Sequence, residues 1–307
     1  MPYAGELAAL STALLWSFTA IFFSEAGKLI GSFSVNKIRL LFAIVIYAVV
    51  LTIKTGHPWP GAINLEQLLW LASSGIIGLV FGDGCGFKAL VMIGPRLMTI
   101  IAASAPIMTT LIAWFFLGER LNWVDIVGIA VTTGGITWVV SERRFGDTNR
   151  VHENHPDAGT MTKGVLLALG AALGQAVGLV LSKQGMLNAG GYVPPLEASF
   201  VRMIAAAIVI WSFSAMRGTL GTTVAAMKNS RALLLSLFGS ICGPFLGVWS
   251  SLVAVSLIEA GVAATLNSTT PVLIIPAVII VYKERISWRA VIGALVTVGG
   301  VALLFLK

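Results

Sequence analysis

Ten long apolar runs, separated by short polar or Gly/Pro-containing breaks, decide what this chain can fold into. They lie near 4–24, 40–53, 65–87, 97–117, 123–141, 163–182, 198–215, 232–256, 262–282 and 289–306. A bilayer core about 30 Å thick needs roughly 20 apolar residues per helix, so ten crossings absorb about 200 of the 307 residues. No room remains for a separate soluble domain. The composition agrees: 57% of residues are hydrophobic and 11% charged, with a mean hydropathy of +0.92, outside the balance of a soluble globular domain. The first run carries Glu6 and no basic residue before it, which argues against a cleaved signal peptide and for a retained first helix.

The formal charge of +7 does not point to nucleic acid, because Lys and Arg fall between the apolar runs rather than in one patch. They read as topology signals. With Arg202 counted inside helix 7, 15 basic residues, Lys37 and Arg39 among them, fall in odd-numbered connections and 4 in even ones and the C-terminus. Basic connections stay on the cytoplasmic side, so the bias puts the odd connections inside and both termini outside. Cys85 and Cys242 each sit in an apolar run, and His57, His152 and His155 sit in polar connections. Neither a disulfide framework nor a metal site follows from them, and no cofactor is expected.

Residues Gly78–Gly135 match Gly243–Gly300 without a gap, at a constant offset of 165 residues, the difference between 243 and 78 and between 300 and 135. The match pairs Pro106 with Pro271, Glu119-Arg120 with Glu284-Arg285, Trp123 with Trp288, Gly128 with Gly293, and Gly134-Gly135 with Gly299-Gly300. A weaker match sets Gly5 against Gly164 and Ser24 against Ser182. The chain therefore divides into a five-helix repeat over 1–141, a polar linker over 142–162 and a second repeat over 163–307. A unit with an odd number of crossings is followed by one that enters the membrane from the opposite face. The expected fold is thus all-α, ten transmembrane helices in two inverted repeats, an arrangement that places a substrate site at the midplane between halves. A duplicated membrane scaffold without transport is the plainer alternative.

Several of the repeated residues have structural explanations. Asn122 and Ser287 precede helices as N-caps, with Asp125 three residues after Asn122, and Trp123 and Trp288 suit the headgroup layer. The Glu-Arg pairs read first as turn and anchor. Together, the Pro in helices 4 and 9, the following Glu-Arg turn and the Gly-rich last helix of each half resemble the drug/metabolite transporter superfamily, specifically its ten-helix EamA family. The resemblance covers nearly the whole chain. It implies export of amino acids or related metabolites, with exporters of aromatic and other neutral amino acids the nearest type, and termini that many relatives hold in the cytoplasm.

Helix 9 carries Asn267-Ser268-Thr269-Thr270-Pro271 and Pro276. Pro271 frees the carbonyl of Asn267 and Pro276 that of Val272, groups tolerated at membrane depth only when protein or water satisfies them. Asn267 and Thr270, three apart, form the leading substrate-bonding pair, though Asn, Ser and Thr serve equally as interhelical hydrogen bonders. Helix 4 has Ala102 where helix 9 has Asn267, so the lining should be asymmetric. Asp83 could hold a substrate ammonium or a coupling proton, or pair locally with Lys88. Trp16 and Gln175 align between helices 1 and 6, and Trp249 offers a further flat wall; packing is the alternative for each tryptophan.

The first helix reads Ala13-Leu14-Leu15-Trp16 with no acid, which ranks proton-driven multidrug export below metabolite export. Carriers of nucleotide sugars or sugar phosphates rank lower still, because clustered intramembrane Arg or Lys is not visible. A membrane enzyme would need a nucleophile with a base, a carboxylate pair or metal ligands at depth, and none is visible. A channel fits proline-broken inverted repeats less well than alternating access does. The expectation is a multi-pass, non-enzymatic exporter of the bacterial-type inner membrane, monomeric, with a small metabolite and the lipid bilayer as its partners.

Overall fold

The computed structural model describes residues 3–61, 63–142, 158–187, 191–275 and 287–305, and every regular element in them is helical. Helices α1 (Ala4–Ile30) and α2 (Ser32–Thr55) join through Gly31 alone, whose φ of 78° turns the chain without a loop. The third crossing consists of α3 (Leu65–Gly75), a π-helical turn (Ile76–Gly82) and the first part of α4 (Asp83–Ala102), up to Gly94, where a φ of 76° breaks the helix; the rest of α4 begins the fourth crossing at Leu97. Helices α5 (Ala105–Leu117) and α6 (Trp123–Glu142) follow. The second half repeats the plan with α7 (Ala158–Leu187), α8 (Pro195–Met216) and a short α9 (Leu220–Ala226). Then come α10 (Ser230–Ser240), a second π turn (Ile241–Gly247), α11 (Val248–Leu257), α12 (Ala260–Asn267), α13 (Thr270–Leu273) and α14 (Trp288–Leu304).

Among the described residues, 8 helices are long and apolar enough to cross a membrane, against the ten expected. The described part of the ninth run ends at residue 275. The tenth is the shorter α14, whose 17 residues span about 25 Å. Pro276, Glu284-Arg285 and most of the linker lie outside the described residues.

The second run needs correction. It was expected from residue 40, yet α2 starts at Ser32 and carries Asn36, Lys37 and Arg39, exposed by 4%, 6% and 5%. Lys37 Nζ donates to Ser214 Oγ at 2.9 Å and Arg39 pairs with Asp83. Hydropathy ended the run at these charges because it cannot see that they have partners. The two are therefore not loop charges; the odd-connection excess is smaller but keeps its sign.

The halves pack by exchange. Helix α1 lies against α10, the second π turn and α11, while α7 lies against α3, the first π turn and α4; α2 meets α8, α5 meets α12, and α6 meets α14 along its length. The exchange holds residue by residue. A Cβ on Gly135 would sit 2.6 Å from the backbone nitrogen of Thr297, and one on Gly300 would sit 2.5 Å from that of Thr132. Gly82 approaches the backbone nitrogen of Gln175, and Gly247 approaches the indole of Trp16. Each half thus offers the other the same surface in return, the hallmark of a two-fold relation.

The caps form as expected. Asn122 and Asp125 bond each other's backbone N–H, Ser287 Oγ accepts from Ala290 N at 3.1 Å, and Trp123 and Trp288 stand out from the surface.

Candidate functional site

Both halves break a helix at the same aligned place: α4 ends at Ala102 and α5 resumes at Ala105, as α12 ends at Asn267 and α13 resumes at Thr270. Beside these breaks lies a cavity of about 560 Å³, within the roughly 300–1,000 Å³ of small-molecule sites. Its lining comes from α1, α2, the first π turn, α4, α5, α7, α8, α11 and the α12–α13 break, so neither half encloses it alone. Among the described residues, the charged side chains that line it are Arg39, Asp83 and Arg202.

Five of the six residues singled out in the sequence line this cavity: Trp16, Asp83, Gln175, Asn267 and Thr270. Trp249 does not; it stacks on Phe245 with centroids 6.1 Å apart, inside the apolar cluster around Tyr47 and Phe200. Asp83 pairs with Arg39 rather than Lys88, and its Oδ1 accepts from Gln175 Nε2 at 2.8 Å, which joins α2, α4 and α7 in one network.

The pairing of Asn267 with Thr270 on one helical face is corrected, since the chain leaves the helix between them. Asn267 Nδ2 donates to Ser251 Oγ at 2.8 Å, and its Oδ1 is buried without a partner. Thr270 Oγ1 instead faces two carbonyls, that of Asn267 at 3.1 Å and that of Ala13 at 3.2 Å. The carbonyl of Asn267 that Pro271 frees therefore has a donor in Thr270, the first residue after the break.

Sequence reading missed the two arginines as site residues. Ile38-Arg39-Leu40 and Val201-Arg202-Met203 occupy the same place in the second helix of each half, an equivalence their shared apolar flanks could have disclosed. Each Nε is buried and without a hydrogen bond. The ground for ranking anionic substrates low, an intramembrane region without clustered basic groups, is overturned by Arg39, Arg202 and the nearby Lys37.

At the end of the molecule formed by the even connections, polar bonds tie the halves together. Lys183 Nζ lies 2.7 Å from Glu119 Oε1, and Glu119 Oε2 accepts from Ala260 N at 2.8 Å. Gln67 Nε2 donates to Gly191 O at 2.7 Å, and Gly61 N donates to Glu197 Oε2 at 3.0 Å. Glu119 of the Glu-Arg turn is thus a bridge between halves. The cavity lies away from this end, since its lining uses the later part of α1 and the first part of α2.

The model of the EamA-like transporter family matches residues 3–141 and again 162–306. An uncharacterized transporter of Archaeoglobus fulgidus is 24% identical over 303 residues, covering 98% of this chain and 97% of its own. One of Clostridium kluyveri is 24% identical over 144 residues, 47% of this chain and 46% of its own. A solved crystal structure of a protein 19% identical superposes with a TM-score of 0.75 over 99% of this chain and 96% of its own, a likeness of fold.

Proposed function

The chain belongs to the EamA-like transporter family, and from that premise we propose that it exports a small metabolite, an amino acid of neutral or aromatic type, by alternating access. The proposal takes residues 1–141 and 163–307 as inverted five-helix halves joined by 142–162. It places ten crossings in a bacterial-type inner membrane, with odd connections inside and both termini outside.

The observation that carries the reading is the cavity lined jointly by both halves at their helix breaks. A site shared in this way closes to one side when the halves rock together and opens to the other when they rock apart. Its lining suits a molecule with distinct ends. Trp16 supplies an apolar wall for a side chain, Gln175 and Asn267 supply amides, and the guanidiniums and Asp83 supply charge of both signs.

Counterflow tests this. Proteoliposomes preloaded with threonine, methionine or phenylalanine should accumulate the labelled counterpart, with saturation. Accumulation of none of them would remove the amino-acid reading. The two guanidiniums that line the cavity favour a second reading, a phosphorylated metabolite, so a sugar phosphate belongs in the same panel.

A further inference from the structure

We infer that Arg202 is the carboxylate-binding residue of the cavity, so that the transported molecule carries a carboxylate; this rests on the transport reading above.

Arg202 is exposed by only 6%, it lines the cavity, and its Nε has no hydrogen-bond partner. Among the described residues it makes no ion pair. The aligned Arg39 differs: it is paired with Asp83 of its own half. At the 165-residue offset of the repeat, the position equivalent to Asp83 is Val248. The second half has the arginine but a valine in the place of its acid, and Val248 itself lines the cavity. Asp83 acts on Arg202 through its charge, but its two oxygens are engaged by Arg39 and by Gln175, so it leaves Arg202 without a direct ion pair.

The surrounding chain makes room for this guanidinium. Gly75 lets α8 approach so closely that a Cβ there would sit 2.3 Å from Arg202 O, and the Cβ position of Gly78, in the π turn, lies 3.6 Å from Arg202 Nη2. A guanidinium desolvated without a partner is costly, and its planar fork matches a carboxylate with two parallel hydrogen bonds. The cavity's own charges, two arginines against one aspartate, leave a single positive charge in excess, which the one negative charge of a substrate carboxylate meets locally at Arg202. A phosphate dianion would overshoot it.

The test challenges counterflow of labelled phenylalanine with three analogues: phenylpropionate, which keeps the carboxylate and lacks the amine; phenylalaninamide, which lacks the carboxylate; and 2-phenylethyl phosphate. Phenylpropionate should compete, and the amide should need about 10- to 100-fold more, the worth of a charge-assisted pair. Arg202→Gln should bring the acid and the amide to similar potency, while Arg202→Lys keeps a weaker preference for the acid. Should Arg202→Gln fail to insert, the wild-type comparison decides alone. Equal competition by amide and acid overturns the inference and leaves the transport reading standing; stronger competition by the phosphate overturns it in favour of that anion. Exchange of labelled phenylpropionate without any exchange of phenylalanine keeps the carboxylate site and removes the amino-acid reading. Exchange of neither removes both.

Discussion

Asn267 is the residue at which a structural and a binding role separate most cleanly. Its Nδ2 holds Ser251 and so helps pack α12 against α11, whereas its Oδ1 is buried and unbonded. The aligned Ala102 serves an equivalent helix break without any amide. A lost substrate hydrogen bond of about 0.5–1.5 kcal/mol corresponds to roughly 2- to 13-fold in affinity. Asn267→Ala should therefore insert normally and raise the substrate concentration for half-maximal counterflow by that factor. Unchanged affinity, or loss of the variant to aggregation, would assign the amide to packing. The sequence disclosed Asn267 because a polar cluster beside prolines stands out in an apolar run. It hid Arg39 and Arg202 because a lone charge in such a run lowers hydropathy in the same way whether it ends the helix or faces a cavity inside it. It also could not separate Trp16 from Trp249: both are tryptophans within apolar runs, and only the packing of Phe245 against the second turns it away from the cavity.

Helices α6 and α14 are matched through Gly135 and Gly300, which receive Thr297 and Thr132 at backbone contact. Such close approach lets dispersion contacts hold helices together where lipid offers no hydrophobic gain. Gly135→Val should cost about 1–3 kcal/mol, as overpacked sites do, seen as a lower melting temperature in detergent. Gly134→Ala is the control, because no atom lies within 4 Å of a Cβ placed there. Equal melting of the two variants would mean that the α6–α14 seam is not what holds this region. The paired Gly-Gly motifs made these helices legible as repeats, but which glycine of each pair faces the partner depends on the seam. The π turns at Ile76–Gly82 and Ile241–Gly247 were not legible at all. A π turn adds a residue to a turn; the first lies in an apolar run without a proline, and in the second Pro244 marks a disturbance of the helix but not its kind.

At the scale of the molecule, the repeat foretold that the two halves would be alike, and the reciprocal packing adds how they are joined: each first helix is lent to the opposite half. That arrangement concentrates cross-half polar bonds at the end of the even connections, where Glu119, Lys183 and Ala260 meet. Rocking of the halves must part these groups. The most direct measurement of alternating access is counterflow after Gly61 and Glu197, which bond across the same end without involving either lent helix, are both replaced by cysteine, in protein whose Cys85 and Cys242 are serine, and bridged with a short bismaleimide. The account predicts that the bridged protein stops exchanging substrate, while the same protein treated with a monofunctional maleimide continues. Exchange at an undiminished rate with the bridge complete would contradict it.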